Sequence, residues 1–345
     1  MGPVAEDAQG ARRRAAARRG RLTADSPLLG GPLQSAAGAE EPRPHTAAYD
    51  PRDDPYELPS IESPDGHADP DPRMLRDLIP APDPARDVDD WGRSERVFRL
   101  AEPALNLYYR YWFRVETEGV ENVPSEGGAL LVSNHSGALP PDAPMIMQAL
   151  REEHPARRPL YMLGEDWFKG YPGVGMLANK IGLVPAHPAN AQRLLRDEGR
   201  LVLVFPEGQK GSRKLFWQRY RLRRFGRGGF VKTALRSGVP IVPVAVIGAE
   251  EAMPIFAHVP LLQRLTGLIY FPINHAFPHL GLAAAFMYLP AKFKIRFLEP
   301  IALDSYSPED AEDLELVTSI TEEVRERVQT EVDRLISARS SVWFG

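Results

Sequence analysis

Short apolar runs that alternate with helix-length stretches constrain this chain more than any other feature. GALLVSNH (128–135), PLYML (159–163), KIGLVPA (180–186), RLVLVFPEG (200–208) and PIVPVAVIG (240–248) each read as a strand. The centres of the last two, LVLVF (201–205) and IVPVAVI (241–247), are unbroken apolar runs, as strands covered on both faces are. Between them, APMIMQALREEH, NAQRLLRDEG and GFVKTALRSG suit helices, the last ending at Gly238. Alternation of this kind predicts an α/β fold with a mostly parallel central sheet flanked by helices. KFKIRFLEPI alternates polar and apolar residues and reads as a half-buried strand. From Ser307 to about Ser337, Val317, Ile320, Val324, Val328, Val332 and Leu335 fall on one face of an amphipathic helix.

Ahead of the first strand, WGRSERVFRLAEPALNLYYRYWFRVETEG reads as an N-terminal helix with a break or kink at Pro103. Its second half gathers Leu105, Leu107, Tyr108, Tyr109, Tyr111, Trp112 and Phe113 beside Arg110 and Arg114. That pattern fits a helix packed on the domain, or one lying at a lipid interface. Residues 1–90 are rich in Ala, Arg, Asp and Pro without an apolar period, which predicts a disordered arm with a short helix near MLRDLI. Order is expected from Trp91, with residues 91–345 forming the catalytic domain. Arg12, Arg13, Arg14, Arg18, Arg19 and Arg21 make the arm basic, which suits a solvated tail or attraction to anionic lipid.

The 345 residues hold no cysteine, which excludes disulfides, thiolate metal sites and a cysteine nucleophile and fits a reducing compartment. A net charge of −4 gives nucleic acid no footprint. No apolar run reaches the roughly eighteen residues that a simple membrane span needs, and no apolar block follows the arginines as a secretory signal requires.

Two segments carry chemistry. SNHSGALPPDAPM puts His135 at the end of one strand and Asp142 seven positions later. FPEGQKGSRK puts Glu207 and Gly208 at the end of another. Active sites of open α/β sheets gather at the carboxyl ends of strands. Histidine serves as a general base near neutral pH, and a carboxylate on its other nitrogen fixes the tautomer. The glycine turn with Lys210, Arg213 and Lys214 is suited to phosphate. Read singly, His135 is as well a structural hydrogen-bonder, the Glu-Gly pair a plain turn, and Asp142 a cap of the next helix.

Together and in this order, Asn134-His135 with Asp142, GLVPAHPANAQR, Phe205-Pro206-Glu207-Gly208 and the strand VPIVPV resemble the glycerolipid acyltransferase superfamily over roughly residues 95–305. RYRLRRFGRGGFVKTAL is similar to a bacterial branch close to the monoacylglycerol acyltransferases. The resemblance implies a glycerol-3-phosphate acyltransferase-like fold and O-acyl transfer from acyl-CoA or acyl-carrier protein to a glycerolipid hydroxyl, such as that of a lysophospholipid. Neutral mono- and diacylglycerols are the alternative acceptors. It implies His135 as general base, Asp142 as its orienting partner, and no acyl-enzyme. Asn134, Ser136, Glu207, Gly208, Lys210, Arg213 and Arg193 would contact substrate. No metal and no cofactor beyond the co-substrate thioester is implied. The expected partners are that donor, a lipid acceptor and the cytoplasmic face of a membrane, bound peripherally or monotopically; nucleic acid is not among them.

The sequence departs from the family in three ways. Six residues, Ser136 to Pro141, separate His135 from Asp142 where the family has four. The arginine that usually follows the middle strand is missing, leaving Arg193 as its replacement. Gln209 and Lys210 follow Gly208 in place of Thr-Arg. His275 and His279 are spaced like metal ligands, but Pro272 and Pro278 spoil a regular helix there. The stretch from Pro254 to Pro290 suits core, an acyl tunnel or lipid contact. No G-x-S-x-G elbow is present, so a serine esterase is disfavoured. A thioester hydrolase using His135 and a silent lipid binder remain as further readings.

Overall fold

A computed structural model of the chain describes residues 87–136, 141–164, 174–259, 261, 272–276, 279 and 287–345. The expectations for residues 1–86, and most of the stretch 254–290, lie outside these.

The strands are β1 (Glu116–Glu118), β2 (Ala129–Ser133), β3 (Leu160–Gly164), β4 (Leu183–Pro185), β5 (Leu201–Val204), β6 (Ile241–Ile247), β7 (Ile255–His258), β8 (Pro272–Asn274) and β9 (Lys294–Phe297). β7 and β8 form an antiparallel ribbon, and the other seven make one sheet in the order β1-β9-β6-β2-β5-β3-β4. Every neighbouring pair in it runs parallel except β6 and β9. The fold is therefore the mostly parallel, helix-flanked sheet expected from the alternating runs.

The helices are α1 (Glu95–Asn106), α2 (Asp142–Glu153), α3 (Val174–Lys180), α4 (Pro188–Gln192), α5 (Gln209–Ser212), α6 (Gly229–Ser237), α7 (Ala249–Ala252) and α8 (Leu314–Ser337). Side chains of a strand alternate between faces, and this sorts the core in two. Ala129, Leu131, Leu201, Leu203, Val242 and Val244 pack with Phe98 of α1 and Met145, Ile146, Ala149 and Leu150 of α2. On the other face Leu130, Val132, Val202 and Ile241 meet Leu194 and Leu195 of the π turn Arg193–Asp197, Val231, Ala234 and Leu235 of α6, and Val317, Ile320 and Val324 of α8. α8 continues along the sheet, with Val328, Val332 and Leu335 against Ala245 and Ile247. All of its expected inward residues are buried.

Ser94 caps α1 by accepting from the Val97 amide. The helix runs through Pro103 and widens into a π turn at Leu107–Trp112, so the proline does not end it. The reading of a helix packed on the domain holds for one side of this segment. Phe98, Tyr109 and Phe113 are buried, whereas Leu107, Tyr111 and Trp112 are exposed, Tyr111 to 72%. Anchoring starts ahead of Trp91: Asp89 accepts from the amides of Trp91 and Arg93 and from the Tyr161 hydroxyl on β3.

Candidate active site

β2 is parallel to both β5 and β6, so the carboxyl ends of all three lie on one edge of the sheet. At that edge the main chain of β2 peels away, and the Asn134 side chain continues its ladder. Its Nδ2 donates to the Val246 carbonyl and its Oδ1 accepts from the Val246 amide, each at 2.9 Å. Asn134 is thus spent on β6, where the sequence had it contacting substrate; an amide with one donor and one acceptor edge is the side chain that mimics a backbone unit. The next residue, His135, rises out of the sheet.

The His135 ring is held from two sides. Phe205, at the end of β5, stacks on it at 4.2 Å between centroids. Asp142 Oδ2 lies 3.3 Å from its Nδ1. A carboxylate only accepts, so Nδ1 carries the proton and Nε2 keeps the lone pair. Among the described residues Nε2 has no partner, and the side chain is 15% exposed. The same Asp142 oxygen accepts from the Ser136 amide at 3.0 Å and hydroxyl at 3.2 Å. A fully buried carboxylate is costly unless donors compensate it; these satisfy Oδ2, whereas Oδ1 is buried without a partner among the described residues. The six-residue spacing therefore closes. Asp142 is the first residue of α2, yet its carboxylate turns back to 135 and 136; the cap position is Pro141, which makes no side-chain bond. Tyr288 lies close by: burial, then the charge of Asp142, pushes its hydroxyl above the ordinary tyrosine range.

FPEG forms a tight turn in which the Gly208 amide bonds back to the Phe205 carbonyl at 2.9 Å. Gly208 sits at φ +53°, a conformation that costs a residue with a Cβ about 1 kcal/mol. The turn points Glu207 inward. Its Oε1 accepts from the His135 amide at 3.0 Å and its Oε2 from the Arg223 amide at 2.7 Å. Lys214 Nζ lies 3.4 Å from Glu207 Oε2 and 3.0 Å from Glu250 Oε1, with a side chain only 2% exposed. Burial alone pulls the ammonium down, but Glu250 and Glu207 outweigh it and hold Lys214 above its ordinary value. Burial raises Glu250 despite Lys214 and the Tyr220 amide.

The structure thus brings together His135, Ser136, Asp142, Glu207 and Gly208. Lys210 is exposed beside them, and Arg213, half-buried, gives its carbonyl to His258 Nε2 at 2.8 Å. Two cations read as phosphate ligands go elsewhere. Lys214 is enclosed by two carboxylates. Arg193 pairs with Asp90 at 2.6 Å and Glu198 at 2.9 Å and lies over the Trp91 ring. Glu198 precedes β5, at the end of the strand opposite Glu207, so Arg193 is not at the site. The ring stack of Phe205, the acceptor role of Glu207 toward Arg223, and Glu250 carry no local sequence signal. Gly211 is a further supporting residue: a Cβ there would meet Glu207 Cβ at 2.7 Å and His135 Cβ at 3.0 Å.

The acyltransferase family model matches residues 114–247, from the end of the N-terminal helical segment through β6. An uncharacterized protein of Mycobacterium tuberculosis is 46% identical over 259 residues, covering 75% of this chain and 72% of that one. A Gallus gallus protein, described as a DGAT1/2-independent enzyme synthesizing storage lipids, is 28% identical over 62% of this chain and 61% of its own length. The 1-acyl-sn-glycerophosphate acyltransferase PlsC of Thermotoga maritima aligns with a TM-score of 0.46 and 20% identity over 72% of this chain and 80% of that chain. The chain belongs to the acyltransferase family.

Proposed function

We propose that the chain transfers a fatty acyl group from a thioester to a glycerolipid hydroxyl, with His135 as general base. The observation that carries this reading is the His135–Asp142 pair, whose geometry leaves Nε2 basic and open. The acceptor hydroxyl gives its proton to Nε2 as its oxygen bonds to the thioester carbonyl carbon. The carbon–sulfur bond then breaks, and the thiolate leaves with the proton that the imidazolium returns. General-base help of this kind is worth about 10²–10⁴ in rate, and co-orientation of donor and acceptor supplies more. Glu207 acts here through the backbone of His135.

A neutral acceptor is favoured over lysophosphatidate by the commitments of Lys214 and Arg193, neither of which is left for a phosphate beside the reacting hydroxyl. The storage-lipid description of the Gallus gallus relative points the same way. The reading also puts the chain at a lipid surface. Trp112 donates to the Tyr288 carbonyl and Arg114 to those of Pro290 and Trp343, which gathers exposed Tyr111, Trp112, Trp343 and Phe344 into one patch. No described helix is long and apolar enough to cross a membrane.

The test is a panel of acyl-CoAs with lysophosphatidate, monoacylglycerol and diacylglycerol, reading free thiol and lipid product, for the native chain and His135→Ala. Product is expected with monoacylglycerol or diacylglycerol and a loss of about a thousandfold in the variant. Thiol release without acylated lipid would mean hydrolysis, and undiminished transfer by the variant would sink the mechanism. Flotation with liposomes tests the surface.

A further inference from the structure

Between Glu207 and Glu250 the sequence has no acidic residue and ten basic ones, in a chain of net charge −4. Some of these cations are accounted for. Lys214 lies between the two glutamates, Arg236 pairs with Glu312 at 2.6 Å, and Arg219 lies over the Phe216 ring. Arg221 and Arg224 differ: both are exposed, and neither has an acidic partner among the described residues.

The loop that carries them, residues 219–227, has no regular structure but is tightly pinned. The Tyr220 amide donates to Glu250 Oε2 at 2.7 Å and its carbonyl accepts from Gln329 at 2.9 Å. The Leu222 amide donates to Gln329 Oε1 at 2.9 Å, and Phe225 is fully buried. The Arg223 amide donates to Glu207. Tyr220 is held at φ +68°, a left-handed conformation that costs a non-glycine residue about 1–3 kcal/mol and persists only where the surroundings over-determine it. The loop is therefore a fixed platform for outward arginines, and its backbone is two hydrogen bonds removed from His135.

We propose that this arginine loop binds the phosphate groups of the thioester donor, which makes the donor a nucleotide-bearing thioester, acyl-CoA. The inference rests on the acyl-transfer reading. Arginine is the side chain that recognises phosphate through paired donors. The phosphates of such a donor are separated from the reacting carbonyl by the long pantetheine arm, and side chains beyond Glu207 suit that separation. A phosphate next to an acceptor hydroxyl would have to lie beside the imidazole itself.

The experiment compares the full chain with the Arg221→Ser, Arg224→Ser double variant. It reads kcat/KM for palmitoyl-CoA and for S-palmitoyl-pantetheine, which lacks phosphate, and the Kd of adenosine 3′,5′-bisphosphate by calorimetry. The CoA-to-pantetheine ratio is expected to fall about tenfold in the variant, with a parallel weakening of bisphosphate binding. In the native chain the same ratio should fall as salt is raised. An unchanged ratio overturns the proposal, and so does an equal loss on both donors. A variant that keeps its ratio but releases vesicles containing phosphatidylglycerol overturns it in favour of a membrane role. If the native chain turns over neither thioester, the acyl-transfer reading fails, while the bisphosphate arm still decides the loop: loss in the variant supports it and retention overturns it.

Discussion

Asp142 and Glu207 both reach His135, and both are buried, but they hold different parts of it. Asp142 accepts from the ring nitrogen, so it sets which nitrogen is basic. Glu207 accepts from the backbone amide, and from the Arg223 amide and Lys214 as well, so it sets where the residue stands. The contrast separates chemistry from placement. A change at Asp142 should act on turnover, and a change at Glu207 on the architecture of the sheet edge.

The sharpest way to break this contrast is Asp142→Asn. An amide that presents its NH2 to Nδ1 inverts the tautomer and also opposes the Ser136 amide, so a loss of about a thousandfold in kcat is expected, with a smaller drop in melting temperature than at Glu207. Turnover near the native rate would erase the distinction between the two carboxylates. Glu207→Gln comes next. One amide edge is a donor and would face either the His135 or the Arg223 amide, while Lys214 would keep only Glu250. Breaking a buried pair in this way costs about 3 kcal/mol or more, which thermal unfolding should register as a drop of about 6–12 °C. Its kcat should fall less than that of Asp142→Asn.

Gly211→Ala probes the space between the two halves of the site. The added methyl must displace Glu207 or His135, and such overpacking costs about 1–3 kcal/mol. A decrease of about tenfold in kcat with the fold intact is the expected result, read by steady-state kinetics beside circular dichroism. The smallest effect concerns pH. Lys214 is held above its ordinary value of 10.5, so its stabilisation is complete below that pH and is lost as pH rises through the higher folded value. Denaturant midpoints should therefore fall on the alkaline side above pH 10.5, and the Lys214→Met, Glu250→Gln double variant should flatten that limb.

Much of this was legible in the sequence. The apolar runs gave strands because period and length are local properties, and the two blocks in order pointed to His135 and Asp142 across an unusual spacing. What local pattern could not give was the destination of each polar side chain. Asn134 looks like a substrate contact until Val246, 112 residues away, is seen to use both of its amide edges. Lys214 and Arg193 look like phosphate ligands because a cation near a glycine turn or on a helix has no visible owner. Their owners, Glu250 for one and Asp90 with Glu198 for the other, are fixed by how strands stack and not by spacing along the chain.

The place of β9 in the sheet bears on how the chain is made. Among the described residues β1 pairs only with β9, from Glu116 opposite Lys294 to Glu118 opposite Arg296. The residues matched to the family end at 247, before β9 has been synthesised. A growing chain that has emerged only that far carries His135, Asp142 and Glu207, yet β1 has no neighbour and one side of β6 is open. Unpaired edges of this kind invite association with other chains. The sheet therefore closes only once residues 294–297 have been made, and synthesis completes it beside the edge at which it began.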